Sequence, residues 1–129
     1  MRIGELASKF NISQSTIRYY ISKGILIPTR KNSQYVFSQA DIKELEIILE
    51  LKKLFCSIDE IQEYLQILRL YNPQDAIEKK HLSLFLGKKY ENLKTEITEK
   101  KNALKQIENL LSQFNFTDSG NCWSGIIKM

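Results

Sequence analysis

Apolar positions in the first seventy residues recur in short, phased groups. Ile3, Leu6, Ala7 and Phe10 repeat at helical spacing and predict a helix over 3–10. Asn11-Ile12-Ser13 reads as a turn, with Ser13 capping a second helix in which Ile17, Tyr20 and Ile21 share a face. Gly24 ends that helix, because glycine enters the left-handed conformation without a Cβ penalty. Two short helices joined by a tight turn form the helix-turn-helix pattern. Ile25-Leu26-Ile27 and Tyr35-Val36-Phe37 are β-prone runs around a polar, basic tip from Thr29 to Gln34, and they predict a hairpin, or wing. Ser38 with Asp41 opens a third helix to Leu54, with Ile42, Leu45, Ile48, Leu49 and Leu51 as its apolar positions. Ser57 and Glu60 have capping-box spacing and start a fourth, Ile58 to Leu70.

The pattern then lengthens. Asn72 can cap a helix, Pro73 suits its first position, and Asp75 favours the positive end of its dipole. No proline follows as far as Phe114, so a helix of about forty residues would extend about 60 Å. Leu86, Tyr90, Leu93, Ile97, Lys100, Leu104, Ile107, Leu111 and Phe114 alternate spacings of four and three, and all but Lys100 are apolar. This is an a/d seam, and the partner that fits it is the same helix from a second copy. Lys100 either fixes register and orientation or snorkels at the rim. Gly87 is a soft spot worth about 1 kcal/mol against alanine. The expected class is mainly α: a winged helix-turn-helix domain over 1–71, a coiled-coil dimerisation helix over 72–115, and a tail over 116–129.

Apolar content of 43% and charged content of 26% fit a folded soluble chain. The net charge of +4 lies wholly in residues 1–57, which hold nine Lys/Arg against five acids; the remainder holds ten of each. That asymmetry points to a polyanion partner for the first half, against the plainer reading of a lysine-rich surface. The opening residues lack the apolar core of a secretory signal, and no apolar run reaches the ~20 residues of a membrane span. A cytoplasmic setting is therefore expected, with Cys56 and Cys122 reduced.

The chemistry concentrates on the second helix. A helix entering the major groove reads base edges with its N-terminal side chains. Ser13, Gln14, Ser15 and Thr16 are short hydrogen-bonding groups in that place. Arg18 suits bidentate contact with guanine or phosphate, and Tyr19 can donate its hydroxyl to a phosphate oxygen. On this reading the helix presents Arg18 and Tyr19 to DNA and packs Tyr20. The plainer alternative is a surface helix capped by Ser13.

Ile3-Gly4-Glu5-Leu6-Ala7, Thr16-Ile17-Arg18-Tyr19-Tyr20, Lys23-Gly24-Ile25-Leu26, Tyr35 to Ile42 and Leu51 to Ile61 occur in an order and spacing that resembles the MerR family of bacterial transcription regulators. The resemblance covers about residues 1–70, and its architecture extends through the long helix. It implies a homodimer joined by an antiparallel coiled coil that binds an overlong promoter spacer and distorts it, placing the two promoter elements for RNA polymerase. By position it assigns Arg18 and Tyr19 to groove and backbone contacts, Tyr20 to a core or backbone position, Lys52 to the DNA backbone, and Arg30 and Lys31 to the wing. The family's wing reads Gly-Tyr-Arg-x-Tyr where this chain has Ser33-Gln34-Tyr35-Val36-Phe37, so Tyr35 stands in either the arginine's place or the tyrosine's. The family's Gly-Phe before the fourth helix is Phe55-Cys56 here, which predicts strain in that turn.

Metal-responsive members of that family use two or three cysteines at the ends of the long helix. An antiparallel dimer would bring His81 toward the partner's Cys122, but two ligands are few for a closed site, so neither metal nor cofactor is expected. The same arrangement carries the tail toward the other chain's linker, making Leu70, Tyr71 and Trp123 a candidate effector pocket. The plainer reading is that the tail covers the linker. One histidine, no nucleophile motif and no glycine-rich phosphate loop argue against an enzyme. The competing functions are an excisionase-like or architectural DNA-binding protein and a coiled-coil adaptor. The long helix argues against the first and the basic N-terminal half against the second.

Overall fold

Local capping signals set the helices of the first seventy residues. The computed structural model describes residues 1–70 and 76–114. Helix α1 spans Ile3–Phe10 and closes on Asn11, a residue that tolerates the left-handed conformation it holds, φ 53°. Helix α2 spans Gln14–Ser22, and the Ser13 hydroxyl accepts the Thr16 N–H at 3.1 Å. Gly24 then takes φ +74°. A Cβ there would meet nothing within 4 Å, so backbone conformation rather than space calls for glycine.

The hairpin departs from expectation. Its strands are β1, Thr29–Lys31, which lies inside the stretch read as the tip, and β2, Gln34–Val36, which overlaps the expected run Tyr35-Val36-Phe37. They pair antiparallel, Thr29↔Val36, Arg30↔Tyr35 and Lys31↔Gln34, around Asn32 and Ser33. Those two residues have φ of 52° and 64°, the positive values that a two-residue hairpin turn requires. Ile25-Leu26-Ile27 is not a strand. The Ile25 and Leu26 amides both donate to the Tyr20 carbonyl, closing the end of α2, and both side chains are fully buried. Their β-branched or apolar character fits a buried loop as well as a pleated surface. The chain start pairs with the wing instead: Phe37 N–H donates to the Met1 carbonyl at 2.8 Å, and Arg2 bridges Val36.

Helix α3, Gln39–Lys53, and helix α4, Ile58–Arg69, each begin with a complete capping box, Ser38 with Asp41 and Ser57 with Glu60. Ile42, Leu45, Ile48 and Leu51 of α3 join Leu6, Ile17, Tyr20, Ile25, Leu26, Phe37, Ile61 and Leu65 in one core. Between α3 and α4, Cys56 is buried while Phe55 is 78% exposed at φ 62°. The strain expected where the family has glycine is therefore present in the backbone. Arg69 ties three segments together: Nε and Nη2 donate to the two Glu44 carboxylate oxygens, each at 3.1 Å, and Nη2 also donates to the Ile25 carbonyl at 3.1 Å.

Helix α5, Ala76–Gln113, runs 38 residues without a break at Gly87, about 57 Å at ~1.5 Å per residue. The division between the chain's two units falls within it, after Leu82. The expected seam is largely uncovered in the single chain: Tyr90 is 61% exposed, Leu104 60% and, just past the helix end, Phe114 61%, with Leu93 and Leu111 half-buried. Among the described residues no helix is long and apolar enough to cross a membrane. The expected caps Asn72, Pro73 and Asp75 lie outside the described residues, as do Tyr71, Cys122 and Trp123.

Candidate nucleic-acid interface

Helix α2 is anchored by one face and open on the other. Ile17 and Tyr20 are in the core, Tyr20 at 5% exposure, while Tyr19 is 46% exposed and Arg18 is exposed beside it. The two tyrosines thus divide as the helical phase predicts, with ring centroids 6.0 Å apart. Burial, and then the neighbouring Tyr19, push the Tyr20 hydroxyl above its ordinary pKa, so it stays a neutral phenol. At the start of the helix the Ser13 hydroxyl lies 3.0 Å from that of Ser15 and 2.7 Å from that of Thr16. With Gln14, also exposed, they make a small polar surface of rotatable donors and acceptors. Arg18 has no carboxylate partner among the described residues. Its five donors are available to an outside ligand.

Two other basic groups sit on separate elements. The wing carries Arg30 and Lys31 on β1, both exposed, with Tyr35 half-buried across from Arg30. Lys52 lies in the last turn of α3, exposed; its neighbour Lys53 pairs with Glu50 at 3.4 Å. Two further cations were not among the contacts expected from the sequence. Lys23 caps the end of α2 with its ammonium 5.6 Å from the centre of the Tyr19 ring. Arg2 is carried to the wing by the pairing with Val36. For Lys23 the three-to-four residue spacing from Tyr19 was a usable signal. For Arg2 there was none, because strand pairing over more than thirty residues leaves no local trace.

Helix-turn-helix, wing and long helix are the parts that the comparisons also find. A family model described as MerR HTH family regulatory protein matches residues 1–68. The chain belongs to the MerR family. It is 30% identical over 112 residues to the mercuric resistance operon regulatory protein of Bacillus cereus, across 85% of this chain and 79% of that one. Its fold is similar to that of the transcription regulator PbrR691 from Ralstonia metallidurans CH34, solved in complex with lead(II): TM-score 0.74, 20% identity, 87% of this chain and 86% of that one. It is also similar to HiNmlR, a MerR family regulator lacking the sensor domain and bound to promoter DNA, with TM-score 0.59, 25% identity and 88% of each chain covered. This MerR-family protein is thus a DNA-binding transcription regulator, and the relatives it matches are regulators rather than enzymes.

The metal and effector groups separate less neatly. His81 is exposed on α5, and Cys56 is inside the core. Among the described residues no three His, Cys, Asp or Glu side chains are grouped to hold a metal ion. Leu70 is 74% exposed at the end of α4, whereas its expected companions Tyr71 and Trp123 fall outside the described residues.

Proposed function

We propose that the protein binds promoter DNA in the bacterial cytoplasm as a homodimer, with α2 in the major groove. Ser13, Gln14, Ser15, Thr16 and Arg18 read base edges, Tyr19 and Lys52 meet the backbone, and the wing holds a flanking phosphate. The observation that carries this reading is the division of α2 into a core-anchored face and an exposed polar face. A groove-reading helix has to be held rigidly from behind while its N-terminal side chains remain open. The α5 seam supplies the second copy, and the pair of domains acts on a spacer whose distortion aligns the promoter for RNA polymerase. A solved regulator of similar fold bound to promoter DNA supports promoter DNA as the ligand.

The test is footprinting and chemical probing of a promoter found by mapping genomic binding sites. The wild type should protect a palindromic spacer and make its centre reactive to a distortion-sensitive probe. Arg18→Ala should lose discrimination of about 1–3 kcal/mol between that site and mixed-sequence DNA, the worth of one bidentate base contact. Equal loss on both DNAs would make Arg18 a phosphate contact and move base reading elsewhere. Protection without distortion would favour an architectural role.

A further inference from the structure

Arg30 is held in place without meeting a carboxylate. Its guanidinium carbon lies 4.9 Å from the centre of the Tyr35 ring, its partner across the hairpin. One terminal nitrogen donates to the Ser33 carbonyl at 3.2 Å. Among the described residues no acid pairs with it, whereas Arg69 spends its fork on Glu44. The support is itself anchored. Tyr35 packs against the core and stands 6.5 Å, ring to ring, from Phe37, which is almost fully buried. The positive φ values of Asn32 and Ser33 fix the tight turn that bears the accepting carbonyl.

Stacking uses a face of the guanidinium, but its five N–H donors lie in its plane. With one donor given to Ser33, a planar fork remains that matches two oxygens of one phosphate. A long side chain already held also loses less rotamer freedom on binding.

We propose that Tyr35 is a positioning residue rather than a DNA contact: its ring holds the Arg30 guanidinium, in register, for bidentate capture of one backbone phosphate. The inference rests on the reading that the wing lies against DNA. Lys31, beside it and exposed, then acts as a mobile point charge, so the two wing cations are not equivalent.

Binding of the whole 129-residue chain to a short mixed-sequence duplex, titrated over a range of salt, separates the parts. Arg30→Ala should reduce the slope of log affinity against log salt by about one, since one phosphate contact is lost. Tyr35→Leu should weaken binding about two- to fivefold with the slope unchanged, because the charge remains but its hold is gone. Arg30→Lys, which leaves the wing's packing untouched, should do the same. Tyr35→Phe keeps the ring and should bind as the wild type. Combining Arg30→Lys with Tyr35→Leu should lose little beyond either alone, since both remove one stacked geometry. If Tyr35→Phe weakens binding as much as Tyr35→Leu, the hydroxyl itself touches DNA and the proposal is overturned. It also falls if Tyr35→Leu, with an unchanged melting curve, binds normally while Arg30→Ala lowers the slope. An unaltered slope in Arg30→Ala instead removes the wing from the interface, and the underlying reading with it.

Discussion

Phe55 holds a left-handed backbone conformation, φ 62°, with most of its ring in solvent. For a residue with a Cβ that conformation costs about 1–2 kcal/mol. Glycine would relieve it, but glycine also raises the entropy of the unfolded chain, by about 0.4–1 kcal/mol. Phe55→Gly should therefore raise stability by up to about 1 kcal/mol, read as a higher urea midpoint with an unchanged m-value. A lower midpoint would mean that contacts of the Phe55 side chain outweigh the strain. The turn's other residue works the opposite way: Cys56 is 3% exposed and fills the core position beneath. In the same way, on α2 the buried Tyr20 and the exposed Tyr19 show one residue type serving packing and surface at adjacent positions.

At the level of elements, Arg69 joins α3, α4 and the loop following α2. The pair with Glu44 is partly exposed, with side-chain accessibilities of 33% and 25%, so its Coulombic part is screened. The hydrogen bonds carry more, because the Ile25 carbonyl and the Glu44 carboxylate would both lose a donor. Arg69→Ala should cost about 1–2 kcal/mol in urea unfolding, toward the low end of the range for bonds to charged groups. A double-mutant cycle with Glu44→Gln isolates the pair. Full additivity would show that the two side chains act independently and that the carbonyl contact alone matters. The loop they brace leads directly from α2 to the wing, so loosening it should also disturb the spacing of those two elements.

The whole molecule is decided by the long helix. Leu86, Tyr90, Ile97, Leu104 and Ile107 of α5, and Phe114 just past its end, are exposed in the single chain. Apolar area of that kind is stabilising once covered, about 25 cal/mol per Å². Leu104→Asp would place a carboxylate in the seam, where burial without a partner is strongly unfavourable. Sedimentation should show a dimer for the wild type at micromolar concentration and a monomer for the variant, with a folded N-terminal domain in both. A monomeric wild type would remove the homodimer from the proposed function.

What the amino-acid sequence determined by itself is local. Helix boundaries followed from Ser13, Ser38 and Ser57, whose hydroxyls cap amides three residues ahead, and from Gly24, whose φ only glycine adopts cheaply. The α5 seam and the exposed polar face of α2 were legible because a helix repeats its environment every three to four residues. Strain at Phe55 was legible as a missing glycine. Tertiary structure alone decided the pairings between distant residues: the chain start against Phe37, Arg69 against Glu44 and Ile25, and the first wing strand at 29–31 rather than at Ile25-Leu26-Ile27. An apolar residue such as Leu26 satisfies a strand or a buried loop equally until the core around it forms. The hold of Tyr35 on Arg30 belongs to the same class, because it depends on strand register, and register is set by the turn and the core together.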